Sequence, residues 1–186
     1  HYLNLLGTGK ELGCHLSYVV QPEAGGLAEA FVYGADFIDG DNVCLILGDN
    51  IFDYNFSKDI KEFKSGALGF VKEVHDPERY GVVEFDQNMK VVSIEEKPKK
   101  PKSNYASVGL YVYDSKVVDV VKKLERSDRG ELEINGTPSV NNTYLEMGKL
   151  SVRVIDGIWE DAGTFNSLLR AGNLMAEKAK AAEEGR

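Results

Sequence analysis

Residues 41–47, with the sequence DNVCLIL, carry the strongest strand signal in the chain. A near-continuous apolar run of this length predicts a strand that is buried on both faces. Residues 15–20 (HLSYVV) also predict a strand, and residues 26–38 between the two (GLAEAFVYGADFI) place apolar side chains mostly at helical spacing. A strand, a helix and a second strand in this order predict a parallel pair joined by a right-handed crossover.

The rest of the chain predicts further elements of both kinds. Helices are predicted at residues 56–64, 115–124, about 139–147 and 164–183, and strands at residues 67–74, 106–113 and 150–155. Residues 80–85 and 90–95 flank the polar turn 86–89 (DQNM), which predicts a β-hairpin. Because a hairpin adds antiparallel strands to the parallel pair, the sum is an α/β fold with an open mixed sheet. Such sheets bind ligands at the carboxyl ends of their strands.

The composition argues against several classes of protein. The chain has 186 residues, 42% of them hydrophobic and 28% charged, which is typical of one soluble domain. A net charge of −8 argues against a nucleic-acid partner, since that binding requires Lys and Arg to neutralise phosphates. The apolar runs are too short to span a membrane and no secretory leader is evident, so we expect a cytoplasmic protein. Cys14 and Cys44 lie in no metal-binding motif and are expected to be reduced thiols.

Two aspartates lie where a metal and phosphates could bind. Asp49 directly follows the apolar run and is preceded by Gly48, and Asp161 comes just before the last predicted helix. Carboxylate oxygens suit Mg²⁺, which takes one or two carboxylates together with phosphate oxygens. Each aspartate also has a purely structural interpretation, a plain turn for Asp49 and a helix cap for Asp161. Although far apart in sequence, the two could share one metal ion.

Two other segments carry polar groups suited to a phosphorylated ligand. Glu96 could accept hydrogen bonds from sugar hydroxyls and Lys97 could neutralise a phosphate, although a solvated charge run is the alternative. Gln21 offers both a donor and an acceptor, which match the imide edge of thymine or uracil. The pair Gly25-Gly26 would let backbone amides approach a base or phosphate, but such pairs also mark plain turns. The residues alone therefore predict an α/β enzyme that acts on a phosphorylated ligand.

Seven segments, taken in order and spacing, resemble the glucose-1-phosphate thymidylyltransferases of the sugar-1-phosphate nucleotidyltransferase family. They are VQPEAGGLAEAF (20–31), LILGDNIF (45–52), DPERYGVVEFD (76–86), EEKPKKPKSNYA (95–106), GLYVYD (109–114), RGELEI (129–134) and WEDAGT (159–164). The likeness runs over about residues 5–176. It implies a Rossmann-like open mixed sheet flanked by helices, the nucleotide-diphospho-sugar transferase fold.

The resemblance also implies a reaction, the transfer of dTMP from dTTP to glucose-1-phosphate, which gives dTDP-glucose and pyrophosphate with Mg²⁺ as cofactor. UTP is the alternative nucleotide, since uracil has the same imide edge, and a non-catalytic module that binds a sugar nucleotide or a partner subunit is a further alternative. On the nucleotide side, the resemblance implies that Gln21, Gly26 and Leu27 contact the thymine and that Asp49 and Asp161 bind Mg²⁺. On the sugar side, it implies that Tyr80 and Gly81 line the sugar pocket and that Glu96 binds the sugar hydroxyls. Lys97 would bind the sugar phosphate, with Tyr111 beside it. Asp49, Asp161 and Lys97 form the expected catalytic set.

The resemblance further implies how the domain is organised. Residues 1–75 would form a nucleotide-side βα part, residues 76–160 a sugar-binding part with the hairpin, and residues 161–186 a C-terminal helix. The family's opening glycine-rich signature should precede His1, so we expect an incomplete domain that is inactive by itself. The family also implies a cytoplasmic homo-oligomer, commonly a tetramer, in dTDP-rhamnose synthesis.

Three segments carry more specific expectations. Residues 129–134 are expected to position a helix and to make subunit contacts. Residues 135–139 form a longer run than the family usually has at this place. Residues 107–109 (SVG) replace the more usual Val-Thr-Gly, which argues against assigning a sugar contact to Ser107.

Overall fold

The structure, a computed structural model, describes residues 1–184. The α-helices are α1 (Tyr2–Leu6), α2 (Glu29–Tyr33), α3 (Ala35–Ile38), α4 (Ser57–Glu62), α5 (Val117–Lys123), α6 (Val140–Glu146) and α7 (Phe165–Glu184). The β-strands are β1 (Val43–Ile46), β2 (Asn50–Phe52), β3 (Ala67–Glu73), β4 (Gly81–Phe85), β5 (Val91–Glu96), β6 (Tyr105–Tyr113), β7 (Leu150–Val154) and β8 (Trp159–Asp161). Residues 185 and 186, the end of the predicted C-terminal part, lie outside the described residues.

A mixed sheet is built around β6, with the strand order β5-β4-β6-β3-β7. Strand β3 pairs with β7 in parallel, whereas β4, β5 and β6 pair with their neighbours in antiparallel fashion. Strand β1 also pairs with β6, next to residues Leu110 to Tyr113, while β4 meets β6 at Ala106. The predicted α/β fold with a mixed sheet and flanking helices is confirmed.

The two faces of β6 pack into separate cores because its side chains alternate in direction. Val108, Leu110 and Val112 pack on one side against a cluster that contains Phe70. Tyr113 packs on the other side against helical residues, with its ring 5.3 Å from that of Phe31 in an edge-to-face arrangement. Each fully buried apolar side chain contributes about 1.5–3 kcal/mol. Burial on both faces therefore anchors β6 at the centre of the sheet.

The helices predicted from local sequence signals are present. Helix α6 begins after Ser139, whose hydroxyl accepts a hydrogen bond from the backbone N–H of Asn142 at 3.1 Å, as expected of a cap. The helix predicted over residues 26–38 is interrupted at Gly34, which separates α2 from α3. Helix α7 is the longest, yet no helix in residues 1–184 has the length and apolar character needed to cross a membrane.

The parallel pair predicted at the start of the chain is wrong for the described structure. Residues 15–20 form no strand there, and Val19 and Val20 are 64% and 82% exposed. Strand β1 pairs with β6 in antiparallel fashion, and Ile46 is 58% exposed, so β1 is not buried on both faces. A strand needs a neighbour that takes its backbone hydrogen bonds, and an apolar run does not specify which neighbour that is.

A short two-stranded ribbon, β2 with β8, was not predicted from the sequence. The strands are antiparallel, and the register sets Asn50 opposite Asp161 and Phe52 opposite Trp159. Each strand has three residues, which is too short to give a periodic pattern. The ribbon joins two segments that are more than one hundred residues apart in sequence, and it determines the geometry of the site described next.

Candidate active site

A cleft of about 290 Å³ opens beside β6. It lies near the point where the strand paired with β6 changes from β4, at Ala106, to β1, at residues 110–113. Ser107, Gly109 and Tyr111 alternate along β6, so they face the same side and form its floor. The full lining consists of Leu27, Leu47, Asn50, Arg79, Tyr80, Gly81, Glu96, Lys97, Ser107, Gly109, Tyr111, Arg129, Glu131, Glu133, Ile134, Asn135, Trp159 and Asp161.

The cleft gathers most of the site residues predicted from the sequence. Those that line it are Leu27, Tyr80, Gly81, Glu96, Lys97, Tyr111 and Asp161. Asp49 adjoins the cleft through its neighbour Asn50. Gln21 and Gly26 do not line it, although Gly26 directly precedes Leu27, which does. The two aspartates and the Glu96-Lys97 pair are therefore parts of one region.

Asp49 and Asp161 are held side by side by the ribbon. The backbone N–H of Ala162 donates a hydrogen bond to the backbone oxygen of Asp49 at 2.7 Å. At Gly163, a Cβ atom would lie 3.0 Å from Asp161 Oδ1 and 3.4 Å from Asp49 Oδ2. Both carboxylates thus border the small space that this glycine leaves free.

Asn50 ties the ribbon to the floor of the cleft, a role that its place in a polar turn did not predict. Its Oδ1 accepts hydrogen bonds from the backbone N–H of Gly109 at 2.9 Å and from Trp159 Nε1 at 2.7 Å. Its Nδ2 donates to Asp49 Oδ1 at 2.9 Å. One side-chain amide therefore links strand β6, strand β8 and the carboxylate of Asp49.

We expect Asn50→Ala to lower the free energy of unfolding by about 1–3 kcal/mol, because two N–H donors lose their acceptor. Chemical denaturation of variant and wild type measures the difference. Asn88→Ala, in the exposed hairpin turn, is the matched control and should change the stability by less than about 0.5 kcal/mol. Equal effects of the two changes would contradict the bridging role of Asn50.

Two arginines in the cleft lining were not predicted to be site residues. Arg79 Nη1 donates to Asp76 at 2.7 Å, and its guanidinium lies 5.3 Å from the centre of the Tyr80 ring. Arg129 Nη2 donates to both carboxylate oxygens of Glu133, at 2.9 and 3.0 Å. The acidic partners raise the pKa of both arginines, Asp76 for Arg79 and Glu133 for Arg129. The cleft lining therefore contains two arginines that stay charged, each paired with a neighbouring carboxylate.

The segment 129–134 has a wider role than the sequence suggested. It does position a helix, because the backbone N–H of Val140 donates to Glu133 and that of Asn141 to Ile134, both at 3.0 Å, at the start of α6. It also lines the cleft with Arg129. The expected subunit contacts of this segment stay a prediction.

Lys97 has an unusual backbone conformation. Its φ of 46° lies in the left-handed region, where a residue with a side chain is uncommon and costs about 1 kcal/mol or more. Its backbone N–H donates to the Tyr80 oxygen at 2.9 Å, which holds the turn. Lys97 Nζ is exposed in the cleft, 3.9 Å from Glu96 Oε1. Backbone strain at a cleft residue is consistent with a functional placement of its side chain.

The part of the cleft next to Glu96 is tightly packed around Gly81. A Cβ atom there would lie 2.8 Å from Asn135 Nδ2 and 3.1 Å from Glu96 Oε2, so only glycine fits without displacing these groups. The buried Asn135 donates from Nδ2 to the Tyr111 hydroxyl at 3.1 Å, and Ser107 Oγ lies 3.2 Å from that hydroxyl. The longer run 135–139 and Ser107 thus both contribute to the cleft.

Burial raises the pKa of Glu96, and nearby Glu133 adds to the rise, whereas Lys97 and Arg129 oppose it. The folded protein therefore binds a proton at this carboxyl up to a higher pH than the unfolded chain does. Between the ordinary pKa of 4.5 and the raised value, stability falls as the pH rises.

We expect Glu96→Gln to be increasingly more stable than wild type as the pH rises above 4.5, with a plateau beyond the raised pKa. Denaturant titrations of both proteins at several pH values between about 4 and about 7 measure this difference. Taking the difference removes the contributions of other titrating groups. A difference that is constant or shrinks over this range would contradict the burial of an ionisable Glu96.

The Gly25-Gly26 pair is explained by contacts within the protein. The backbone N–H of Leu132 donates to the Gly25 oxygen at 2.8 Å, and that of Ala28 to the Leu132 oxygen at 3.1 Å. Gly26 has a φ of 107°, and a Cβ there would lie 2.5 Å from the backbone nitrogen of Leu132. Gly26 therefore admits the backbone of the 129–134 segment, and the approach of a base to the glycine pair stays a prediction.

The sequence profile of the nucleotidyl transferase family matches residues 1–178. The chain belongs to this family. It is 47% identical over 180 residues to a glucose-1-phosphate thymidylyltransferase of Neisseria meningitidis, covering 94% of this chain and 62% of the relative. It is 48% identical over 179 residues to one of Mycolicibacterium smegmatis, covering 94% and 61%. The resemblance inferred from the seven segments is confirmed, and the chain spans about three fifths of the length of these relatives.

Two solved structures support the same fold. The chain superposes with a TM-score of 0.85 on a Bacillus anthracis protein described as a glucose-1-phosphate thymidylyltransferase in complex with sucrose, at 47% identity, covering 92% of this chain and 70% of the other. A UDP-glucose pyrophosphorylase complexed with UDP-glucose gives a TM-score of 0.77 at 20% identity, covering 95% and 72%. At that identity the second match supports the fold alone. The predicted sugar-nucleotide transferase fold is confirmed.

Proposed function

We propose that the protein transfers dTMP from dTTP to glucose-1-phosphate and so produces dTDP-glucose and pyrophosphate. The observation that carries the proposal is the pair Asp49 and Asp161 beside a cleft that also holds Glu96 and Lys97. Relatives of that name align along nearly the whole chain and supply the substrate identity. UTP in place of dTTP is the alternative, because uracil and thymine share an imide edge.

A Mg²⁺ ion fits the chemistry of the aspartate pair. Both carboxylates supply hard oxygens, and the missing side chain at Gly163 leaves space next to both. Two carboxylates with phosphate oxygens are a ligand set that Mg²⁺ commonly takes. No group of three or more metal-binding side chains occurs within residues 1–184. When bound, the ion would neutralise negative charge on the triphosphate.

The residues of the chain itself would bind and align the two anionic substrates. Lys97 and Arg129 present cations to phosphate oxygens, and Glu96 accepts hydrogen bonds from sugar hydroxyls. The rings of Tyr80 and Trp159, 5.1 Å apart, contribute apolar surface to the cleft. A sugar phosphate is already anionic at neutral pH, so its oxygen needs no general base. Rate enhancement then comes from alignment and from neutralisation of the charge that develops on phosphorus and the leaving pyrophosphate.

The family resemblance also supports proposals on the setting of the reaction. We propose that the protein acts as a homo-oligomer in the cytoplasm. Its product, dTDP-glucose, would serve the synthesis of dTDP-sugars, including dTDP-rhamnose. Light scattering coupled to gel filtration of the full-length gene product tests the oligomeric state, and a monomeric mass would contradict that part.

A pyrophosphate-release assay on the full-length gene product tests the proposed function. The assay combines dTTP or UTP with several sugar-1-phosphates in the presence of Mg²⁺. We expect dTTP with glucose-1-phosphate to give the highest kcat/KM. A strong preference for UTP would replace the thymidylyl assignment by a uridylyl one, and no release with any pair would favour a non-catalytic binding module.

A further inference from the structure

The side-chain amide of Gln21 is held in one orientation by a buried glutamate. Gln21 Nε2 donates to Glu29 Oε2 at 2.8 Å and, more weakly, to the backbone oxygen of Gly26 at 3.3 Å. Gln21 itself is exposed, whereas Glu29 is only 8% exposed. The buried carboxylate of Glu29 thus accepts a hydrogen bond from the NH₂ group of the exposed Gln21 side chain.

Glu29 is in turn fixed by Arg126. Arg126 Nη2 donates to Glu29 Oε1 at 2.8 Å, and Nη1 donates to the backbone oxygens of Gly25 at 3.1 Å and Gly130 at 2.8 Å. A Cβ atom at Gly25 would overlap the Glu29 carboxylate, so this glycine leaves the room in which the carboxylate lies. The hydrogen bond from Gln21 and the neighbouring Arg126 lower the pKa of Glu29. Glu29 is therefore an ionised acceptor at neutral pH.

This arrangement determines which atom Gln21 can offer to a ligand. An ionised carboxylate only accepts hydrogen bonds, so the NH₂ group of Gln21 must face Glu29. The opposite flip of the amide would place its oxygen against the carboxylate and is therefore disfavoured. Its oxygen Oε1 then points away from Glu29 and remains available as an acceptor. Thymine and uracil carry an N–H at the ring position N3, whereas cytosine has a bare acceptor nitrogen there. A fixed carbonyl oxygen therefore attracts the N3–H of thymine or uracil and repels the bare N3 of cytosine.

We propose that Glu29, held by Arg126, is a positioning residue that orients the Gln21 amide and so selects thymine or uracil over cytosine. The inference rests on the proposed function in one respect, since it takes Gln21 to contact the base.

The test is a double-mutant cycle on the full-length protein, with Glu29→Leu, Gln21→Leu and the double variant. Calorimetry measures the affinity for dTTP and for dCTP, and pyrophosphate release is followed in parallel. We expect Glu29→Leu to lower the ratio of dTTP to dCTP affinity about tenfold, and to lower it no further when Gln21 is already Leu. Glu29→Gln, which keeps the shape but not the charge, should give a smaller loss. Glu23→Leu, exposed in the same segment, should leave the ratio unchanged.

The outcomes separate the inference from the proposed function. An unchanged ratio in Glu29→Leu, or an equal drop in the Gln21→Leu background, would overturn the inference, as would a wild type that binds dTTP and dCTP equally. A merely structural role of Glu29 would weaken both nucleotides alike. A wild type that prefers dTTP in binding but releases no pyrophosphate would defeat the proposed function, and the affinity ratios would still decide the role of Glu29.

Discussion

Asp161→Asn is expected to lower kcat for dTMP transfer by about 100- to 1,000-fold in the full-length protein, with little change in thermal stability. Asn has the same shape, and its side-chain oxygen can still accept the 3.0 Å hydrogen bond from the Gly163 N–H. The change removes one of the two charges that border the space at Gly163. The loss therefore reports on charge at the phosphates, and pyrophosphate release with saturating dTTP, glucose-1-phosphate and Mg²⁺ measures it.

The matched control is Asp156→Asn, the same chemical change at an exposed aspartate five residues earlier. It should leave kcat within about twofold of wild type, since a surface change away from the cleft has a small effect. Thermal unfolding of both variants separates lost function from lost structure. A loss below tenfold in Asp161→Asn, or a matching loss in Asp156→Asn, would contradict a role of Asp161 at the reacting phosphates.

Gly26→Ala is expected to lower the free energy of unfolding by more than about 3 kcal/mol. Gly26 has a φ of 107°, which side chains rarely adopt, and an added Cβ would lie 2.5 Å from the backbone nitrogen of Leu132. The obstacle is backbone, which cannot rotate away as a side chain can. Relief would require Leu132 to move, and with it the 129–134 segment that holds the start of α6 and one wall of the cleft. Chemical denaturation measures the loss.

Gly40→Ala separates the two causes. Gly40 has a φ of 84°, but nothing lies within 4 Å of the position of its Cβ, so only the backbone strain applies. We expect this control to cost about 1–2 kcal/mol, and the remaining difference to measure the clash with Leu132. Similar losses at both glycines would show that the Leu132 backbone moves aside at little cost in stability, and would contradict the expected clash.

Part of the site followed from local sequence signals. The hairpin of β4 and β5 was predicted from alternating apolar residues around a polar turn, and Asp86 Oδ1 accepts hydrogen bonds from the N–H groups of Asn88 and Lys90 within that turn. The hairpin register sets Gly81 directly opposite Glu96. Two residues of the predicted sugar end are therefore brought together by one local element.

Other parts of the site gave no readable signal. Arg129 belongs to a segment that was expected only to position a helix and to make subunit contacts, and only the folded structure makes it part of the cleft. Asn50 looked like a turn residue, because two of its three partners, Gly109 and Trp159, come from segments far away in sequence. Side chains whose function depends on distant partners cannot be recognised from the residues next to them.

Local sequence was sufficient to predict the type of most elements, the mixed α/β fold and the available chemistry, namely two aspartates, a Glu-Lys pair and an amide suited to a pyrimidine. These follow from spacing, turns and residue type, which act over a few residues. Long-range packing, in contrast, makes β1 antiparallel to β6, leaves residues 15–20 without a strand in the described chain, and sets Asp49 beside Asp161 through the β2–β8 ribbon. Strand pairing depends on which distant backbone takes the hydrogen bonds, and three-residue strands carry too little pattern to encode it.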